Sequence, residues 1–184
     1  IDQPTMLVLG GSLGSEQVNV SMMKAVDQVA ADLAGWRIVH QTGPKGGDEV
    51  RAAYSRHGIP HEVAPFFSDL SRHLSSATLV IARAGATTLT ELAAVGIPAV
   101  LIPYPEAADD HQTRNAEYFR QAGAAELAGM TGKRFAPVNL APVLKTLINN
   151  PERLARMSQG MRTLARPNAT AEVVAILDSL TSGV

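Results

Sequence analysis

The amino-acid sequence predicts an α/β domain: a doubly wound, mostly parallel sheet of about six strands, with C-terminal helices. Three observations carry this prediction. Strand-length apolar runs alternate with amphipathic helical stretches along most of the chain. Two of these runs, residues 78–82 and 99–102, are almost wholly apolar rather than alternating, as in parallel strands buried on both faces. From Pro137 onward only helical patterns remain. Repeated β–α units with right-handed crossovers then give an open sheet with helices on both faces.

The elements follow in order. Residues 5–9 form an apolar strand closed by Gly10-Gly11, and residues 20–33 space their apolar side chains as a helix does. A second strand at 37–40 leads through Gly43-Pro44-Lys45-Gly46-Gly47 into a helix near 48–56. A third, short strand around 62–64 precedes Pro65 and a helix at about 69–75. Between the strands at 78–82 and 99–102, residues 88–95 read as a helix stopped by Gly96. Residues 110–121 are helical up to Gly123, and 125–127 supply a sixth strand. Helices at about 140–149, 151–164 and 169–180 close the chain, with Pro151 at a helix start and Arg166-Pro167-Asn168 as a break. Neither a repeat nor a low-complexity segment interrupts the pattern, so residues 1–184 read as one domain with 1–4 the end of a linker. The opening at Ile1, with Met6 already inside the first strand, reads as a piece cut from a longer polypeptide. Processing of a complete protein is the plainer alternative.

Composition narrows the partners. Sixteen basic and 17 acidic residues leave a net charge of −1, so nucleic acid is not an expected partner. No cysteine occurs, which removes thiolate metal sites and a cysteine nucleophile and fits a reducing cytoplasm. The apolar runs are too short to span a bilayer.

Ligands of such sheets sit beyond the carboxyl ends of the strands, which directs attention to the loops at 10–19, 41–47, 83–88 and 103–111. In the first, Gly10, Gly11 and Gly14 let a ligand approach the main chain, and the helix beyond offers N–H groups and positive charge to a diphosphate. A tight turn without ligand explains the glycines equally well. Neither the dinucleotide fingerprint nor a Walker loop is spelled, which disfavours NAD and ATP. In Arg83-Ala84-Gly85-Ala86-Thr87-Thr88-Leu89-Thr90-Glu91, Arg83 suits phosphate charge, and the Glu91 carboxylate suits the two hydroxyls of a ribose. The alternative is a capping box, Thr88-x-x-Glu91. Asp109, Asp110, His111 and Gln112 cluster at a helix start, where they suit sugar hydroxyls; alternatively Asp109 caps the helix and Gln112 returns the bond. Three consecutive residues rarely converge on one ion, so no metal site is expected. His57, His61 and His73 read as ordinary surface or loop residues.

Taken together the loops resemble the C-terminal domain of the MurG-type glycosyltransferases, in glycosyltransferase family 28. The resemblance rests on Val8-Leu9-Gly10-Gly11-Ser12-Leu13-Gly14-Ser15, on Arg83 to Glu91 continuing to Gly96-Ile97-Pro98, and on Pro103-Tyr104-Pro105 with Ala107-Ala108-Asp109-Asp110-His111-Gln112-Thr113-Arg114-Asn115-Ala116. His40-Gln41-Thr42-Gly43 adds a fourth, weaker segment. It implies one half of a GT-B architecture, two Rossmann-like domains with the reaction between them. This half would bind UDP-N-acetylglucosamine, with no cofactor and no metal, for an inverting transfer onto lipid I in peptidoglycan synthesis.

By position, the resemblance places Gly11, Ser12 and Gly14 at the phosphates and sugar, the backbone near Phe67 at uracil, and Glu91 at the ribose. Gly85, Ala86 and Thr87 would lie by the diphosphate, His111 and Gln112 by sugar hydroxyls, and Arg83 in the same pocket. The implied partners are an N-terminal acceptor domain and, through it, lipid I and the cytoplasmic face of the membrane. The family's Gly-Gly-His segment, whose histidine is a candidate base, is not found in this sequence, so no catalytic residue is expected in it. Ala84 stands where many relatives carry serine, and Ser15 where alanine is frequent. Two other readings remain: a GT-B transferase with a natural-product or glycolipid acceptor, whose relatives usually place a histidine where this chain has Arg83, and a non-catalytic nucleotide-sugar-binding subunit that needs a partner chain.

Overall fold

The computed structural model describes residues 3–11, 13–104, 110–128 and 136–181. Six strands, β1 (Thr5–Leu9), β2 (Arg37–Gln41), β3 (His61–Ala64), β4 (Leu79–Ala82), β5 (Ala99–Leu101) and β6 (Ala125–Leu127), form one sheet in the order β3-β2-β1-β4-β5-β6. All five pairings are parallel. The helices are α1 (Glu16–Val29), α2 (Gly47–Arg56), α3 (Leu70–Ser76), α4 (Ala86–Val95), α5 (His111–Gln121), α6 (Ala141–Ile148), α7 (Pro151–Thr163) and α8 (Ala169–Thr181).

Both faces of the sheet are covered, which explains the unbroken apolar runs. Met6, Val8, Ile38, Leu79 and Ile81 point to one face and meet α1, α2 and α6 through Val18, Met22, Val50, Tyr54, Leu144 and Leu147. Leu7, Leu9, Val39, Val80 and Ala82 point to the other, against Leu74 of α3, Leu89 and Leu92 of α4 and Phe119 of α5. Helix α7 closes the edge, giving Met157 to the first core and Met161 to the second.

Two helix starts differ from the sequence reading. Helix α1 begins at Glu16, not at residue 20, because Ser15 is extended (φ −147°) and its Oγ accepts the Val18 N–H at 3.3 Å. The loop before it therefore ends at Ser15, and residues 16–19 belong to the helix. Helix α4 begins at Ala86 behind Gly85, which has no side chain to cap it. Thr88 thus lies inside the helix, and the Thr88-x-x-Glu91 capping box does not form.

The strand order reverses between β1 and β4, since β2 and β3 lie to one side and β5 and β6 to the other. Helix α1 leaves this point along one face and α4 along the opposite face. A crevice opens at such a switch point, flanked by two helix N-termini.

Candidate functional site

Register aligns the strand exits: Leu9 pairs with Gln41 and Ala82, and Ala82 with Leu101. The loops after β1, β2, β4 and β5 therefore start at one level. Long polar side chains then bind them to one another.

Arg83, the first residue beyond β4, is half-buried and spans three exits. Its Nη2 donates to Ser15 Oγ at 2.8 Å, and its Nη1 donates to the carbonyls of Ile102 and Pro103 at 3.2 and 3.3 Å. The guanidinium also lies over the Tyr104 ring, 5.3 Å from its centroid. Burial holds the pKa of Arg83 below its ordinary value, with Tyr104 opposing that shift, yet an arginine remains charged. Ser15 Oγ accepts from both Val18 N–H and Arg83, so the hydroxyl hydrogen is the part left for a ligand.

Gln41 clamps the other side. Its Nε2 donates to the Gly11 carbonyl at 3.2 Å and its Oε1 accepts the Phe67 N–H at 3.0 Å. The loop after β1 is thereby tied to the turn after β3. Gln112 accepts the Tyr104 N–H at 3.0 Å, and Asn115 donates to the Ala84 carbonyl at 3.2 Å. At the start of α5 the cap position is Asp110, left-handed at φ 54°, and the Gln112 oxygen accepts from Tyr104. Asp109 itself lies outside the described residues.

A cleft of about 690 Å³ lies at the switch point, lined by Gly10, Leu13, Gly14, Ser15, Glu16, Gln17, Val20, Arg83, Tyr104, Gln112 and Pro137. Among the described residues of that lining, Arg83 is the one cation and Glu16 the one anion. Of the residues expected from sequence, the cleft brings together Gly14, Arg83 and Gln112. Gly11, Phe67, Gly85, Ala86, Thr87, Glu91 and His111 do not line it. Ala86 and Thr87 are exposed in the first turn of α4 and His111 is exposed at the start of α5. Glu91 is half-buried, with no hydrogen bond or ion pair to any described residue. Phe67 is buried against the ring of His73, centroids 4.3 Å apart, and Ser12 lies outside the described residues. His57 pairs with Asp27 at 2.8 Å and His61 bonds the Ile59 carbonyl at 2.7 Å.

Gly11 and Gly14 of the first loop serve different ends. Gly11 has φ +92° with open space where a Cβ would be. Gly14 has φ +76°, and a Cβ there would lie 2.2 Å from the Thr42 carbonyl oxygen and 2.6 Å from Gly43 Cα. Gly14 is thus a backbone-to-backbone contact between the loops after β1 and β2. Sequence reasoning did not anticipate this, nor the bracing roles of Gln41, Asn115 and Tyr104. The motif His40-Gln41-Thr42-Gly43 was the available signal.

Residues 5–173 match the model of the glycosyltransferase family 28 C-terminal domain. The chain belongs to that family. It is 45% identical over 174 residues to the UDP-N-acetylglucosamine--N-acetylmuramyl-(pentapeptide) pyrophosphoryl-undecaprenol N-acetylglucosamine transferase of Stutzerimonas stutzeri, covering 95% of this chain and 48% of that protein. The enzyme of the same name from Pseudomonas fluorescens is 46% identical over 172 residues, covering 93% and 47%. Among solved structures, the crystal structure of MurG from Acinetobacter baumannii superposes with a TM-score of 0.84 at 33% identity, covering 97% of this chain and 52% of that one. This family 28 domain therefore spans about half the length of the curated relatives it matches. The family that the loop motifs resemble is the family found, and the six-stranded parallel sheet is the expected fold.

Among the described residues, no helix is long and apolar enough to cross a membrane, and no group of three or more His, Asp or Glu side chains converges as a metal site would.

Proposed function

We propose that this chain is the donor-binding half of an inverting transferase that moves N-acetylglucosamine from UDP to the muramyl 4-hydroxyl of lipid I. The names of its relatives at 45–46% identity support the reaction. The observation that carries the donor assignment is the switch-point crevice itself, in which Arg83 faces the glycine loop between two helix N-termini.

In this reading the diphosphate sits at the crevice, where Gly11 and the turn of Gly85, Ala86 and Thr87 offer backbone N–H groups, and Gly14, whose own N–H is held by the Gly11 carbonyl at 3.1 Å, keeps the loop in shape. As the glycosidic bond to phosphate breaks, UDP gains charge that these fixed dipoles and Arg83 stabilise more in the transition state than in the ground state. Glu91, free of any partner within the described residues, accepts both ribose hydroxyls. The Phe67 N–H is committed to Gln41, so uracil meets the remaining backbone of that turn. Gln112 has its oxygen engaged by Tyr104 and keeps its Nε2 hydrogens for a sugar hydroxyl, beside His111. No metal or cofactor enters the scheme, because the helix ends and Arg83 take the charge.

The acceptor hydroxyl attacks the anomeric carbon from the face opposite UDP, and a base removes its proton. That base, the lipid I site and the contact with the cytoplasmic membrane face belong to an N-terminal acceptor domain. Calorimetric titration of the chain with UDP-N-acetylglucosamine, UDP and a dTDP-sugar tests the reading. Saturable binding of the first two is expected. A preference for the dTDP-sugar would move the protein to the natural-product transferases, and no binding at all would sink the donor assignment.

A further inference from the structure

Three polar side chains are buried in the core beneath the glycine loop: His40 and Tyr54 are fully inaccessible and Asn19 is 4% exposed. We propose that Tyr54, His40 and Asn19 form a one-way hydrogen-bond relay that sets the position of the loop after β1 from inside the core, as positioning residues for the donor diphosphate. This rests on the donor reading above.

The direction follows from one atom. Asn19 Nδ2 approaches the Thr42 carbonyl oxygen at 3.1 Å, and a carbonyl only accepts. The Asn19 amide is thereby oriented with Oδ1 toward His40 Nε2, 3.1 Å away, so Nε2 carries the hydrogen. His40 Nδ1 is then bare and accepts from the Tyr54 hydroxyl at 2.7 Å. Reversing any member would set two acceptors or two donors against each other. Buried polar groups cost free energy unless every one is paired, and this set is paired only in one sense.

What the relay holds is the floor of the loop. The Thr42 oxygen bound by Asn19 is the same atom that a Cβ on Gly14 would strike at 2.2 Å, and Gly43 beside it would meet that Cβ through its Cα at 2.6 Å. A shift of the Thr42 carbonyl is therefore passed to Gly14 with no intervening side chain. Asn19 also lies on α1, whose capping Ser15 binds Arg83, so the relay fixes the loop from both ends. Purely apolar residues would fill the same volume without this directional link.

The test uses the full chain. Long-range ¹⁵N NMR of the imidazole should show His40 as the neutral Nε2–H tautomer from pH 5 to pH 8. The Nδ1–H tautomer would overturn the relay. Tyr54→Phe and Asn19→Asp, read by UDP titration on the folded fraction, should weaken Kd about tenfold. Val26→Ala, which loosens α1 without touching the relay, should leave Kd within twofold. If Tyr54→Phe lowers Tm but keeps the wild-type Kd, the three residues are only core and the proposal fails. If the wild-type chain binds no UDP, the donor reading fails, and amide hydrogen exchange at Gly14 and Gly43 decides the relay: faster exchange in Tyr54→Phe supports it, unchanged exchange overturns it.

Discussion

Arg83 Nη2 donates to Ser15 Oγ at 2.8 Å across 68 residues of sequence, and this bond joins the two loops that flank the switch point. The same oxygen caps α1, so one hydroxyl links the helix start and the glycine loop to the β4 exit. The guanidinium fork holds the Ile102 and Pro103 carbonyls as well. An ammonium group on a flexible stem has no equivalent geometry.

Arg83→Lys is therefore expected to lose stability despite keeping the charge. Losing hydrogen bonds from a charged group to partly buried acceptors costs about 1–3 kcal/mol. Urea denaturation should register that loss, and titration should show weaker UDP binding. Wild-type behaviour in both would reduce Arg83 to a passive lining residue.

Glu91→Ala separates binding from folding. Glu91 has no described partner and Thr88 does not cap α4, so stability should stay within about 0.5 kcal/mol. UDP affinity should drop by about 1–3 kcal/mol through the lost ribose bonds. A lower Tm with unchanged affinity would assign Glu91 to the helix alone.

Gly11 and Gly14 should respond unequally to alanine. At Gly11 only the left-handed backbone is penalised, at about 1–2 kcal/mol. At Gly14 the added carbon also collides with Thr42 and Gly43, so the loss should reach about 3 kcal/mol or more. Thermal melts of the two variants give the comparison; equal melting temperatures would mean that the loops after β1 and β2 are not in contact.

Acid sensitivity should begin near neutrality. Burial pushes the His40 pKa from its ordinary 6.5 down to about 3. Between those values the unfolded chain takes up the proton and the folded chain does not. Stability is therefore full above pH 6.5 and falls as pH drops, by about 1.4 kcal/mol per unit at the steepest. Urea midpoints at pH 7, 6 and 5 should decline in that order, and His40→Gln should flatten the decline. Identical midpoints in the wild-type chain would show that His40 is not buried neutral.

The sequence by itself determined the fold, the order of its elements and the family. Two-sided burial writes continuous apolar runs such as residues 79–82, and the glycine and small-residue loops are local in sequence, so both are readable residue by residue. Helix starts were less legible, because Ser15 and Gly85 become caps only through the backbone angles they adopt. Which polar groups meet was decided by the tertiary structure alone. Gln41 with Phe67, Asn115 with Ala84 and His40 with Tyr54 are distant in sequence, and strand order and register brought them within hydrogen-bond range. Hydrogen bonds depend on angstrom-scale geometry between separate elements, whereas periodicity depends only on neighbours along one element.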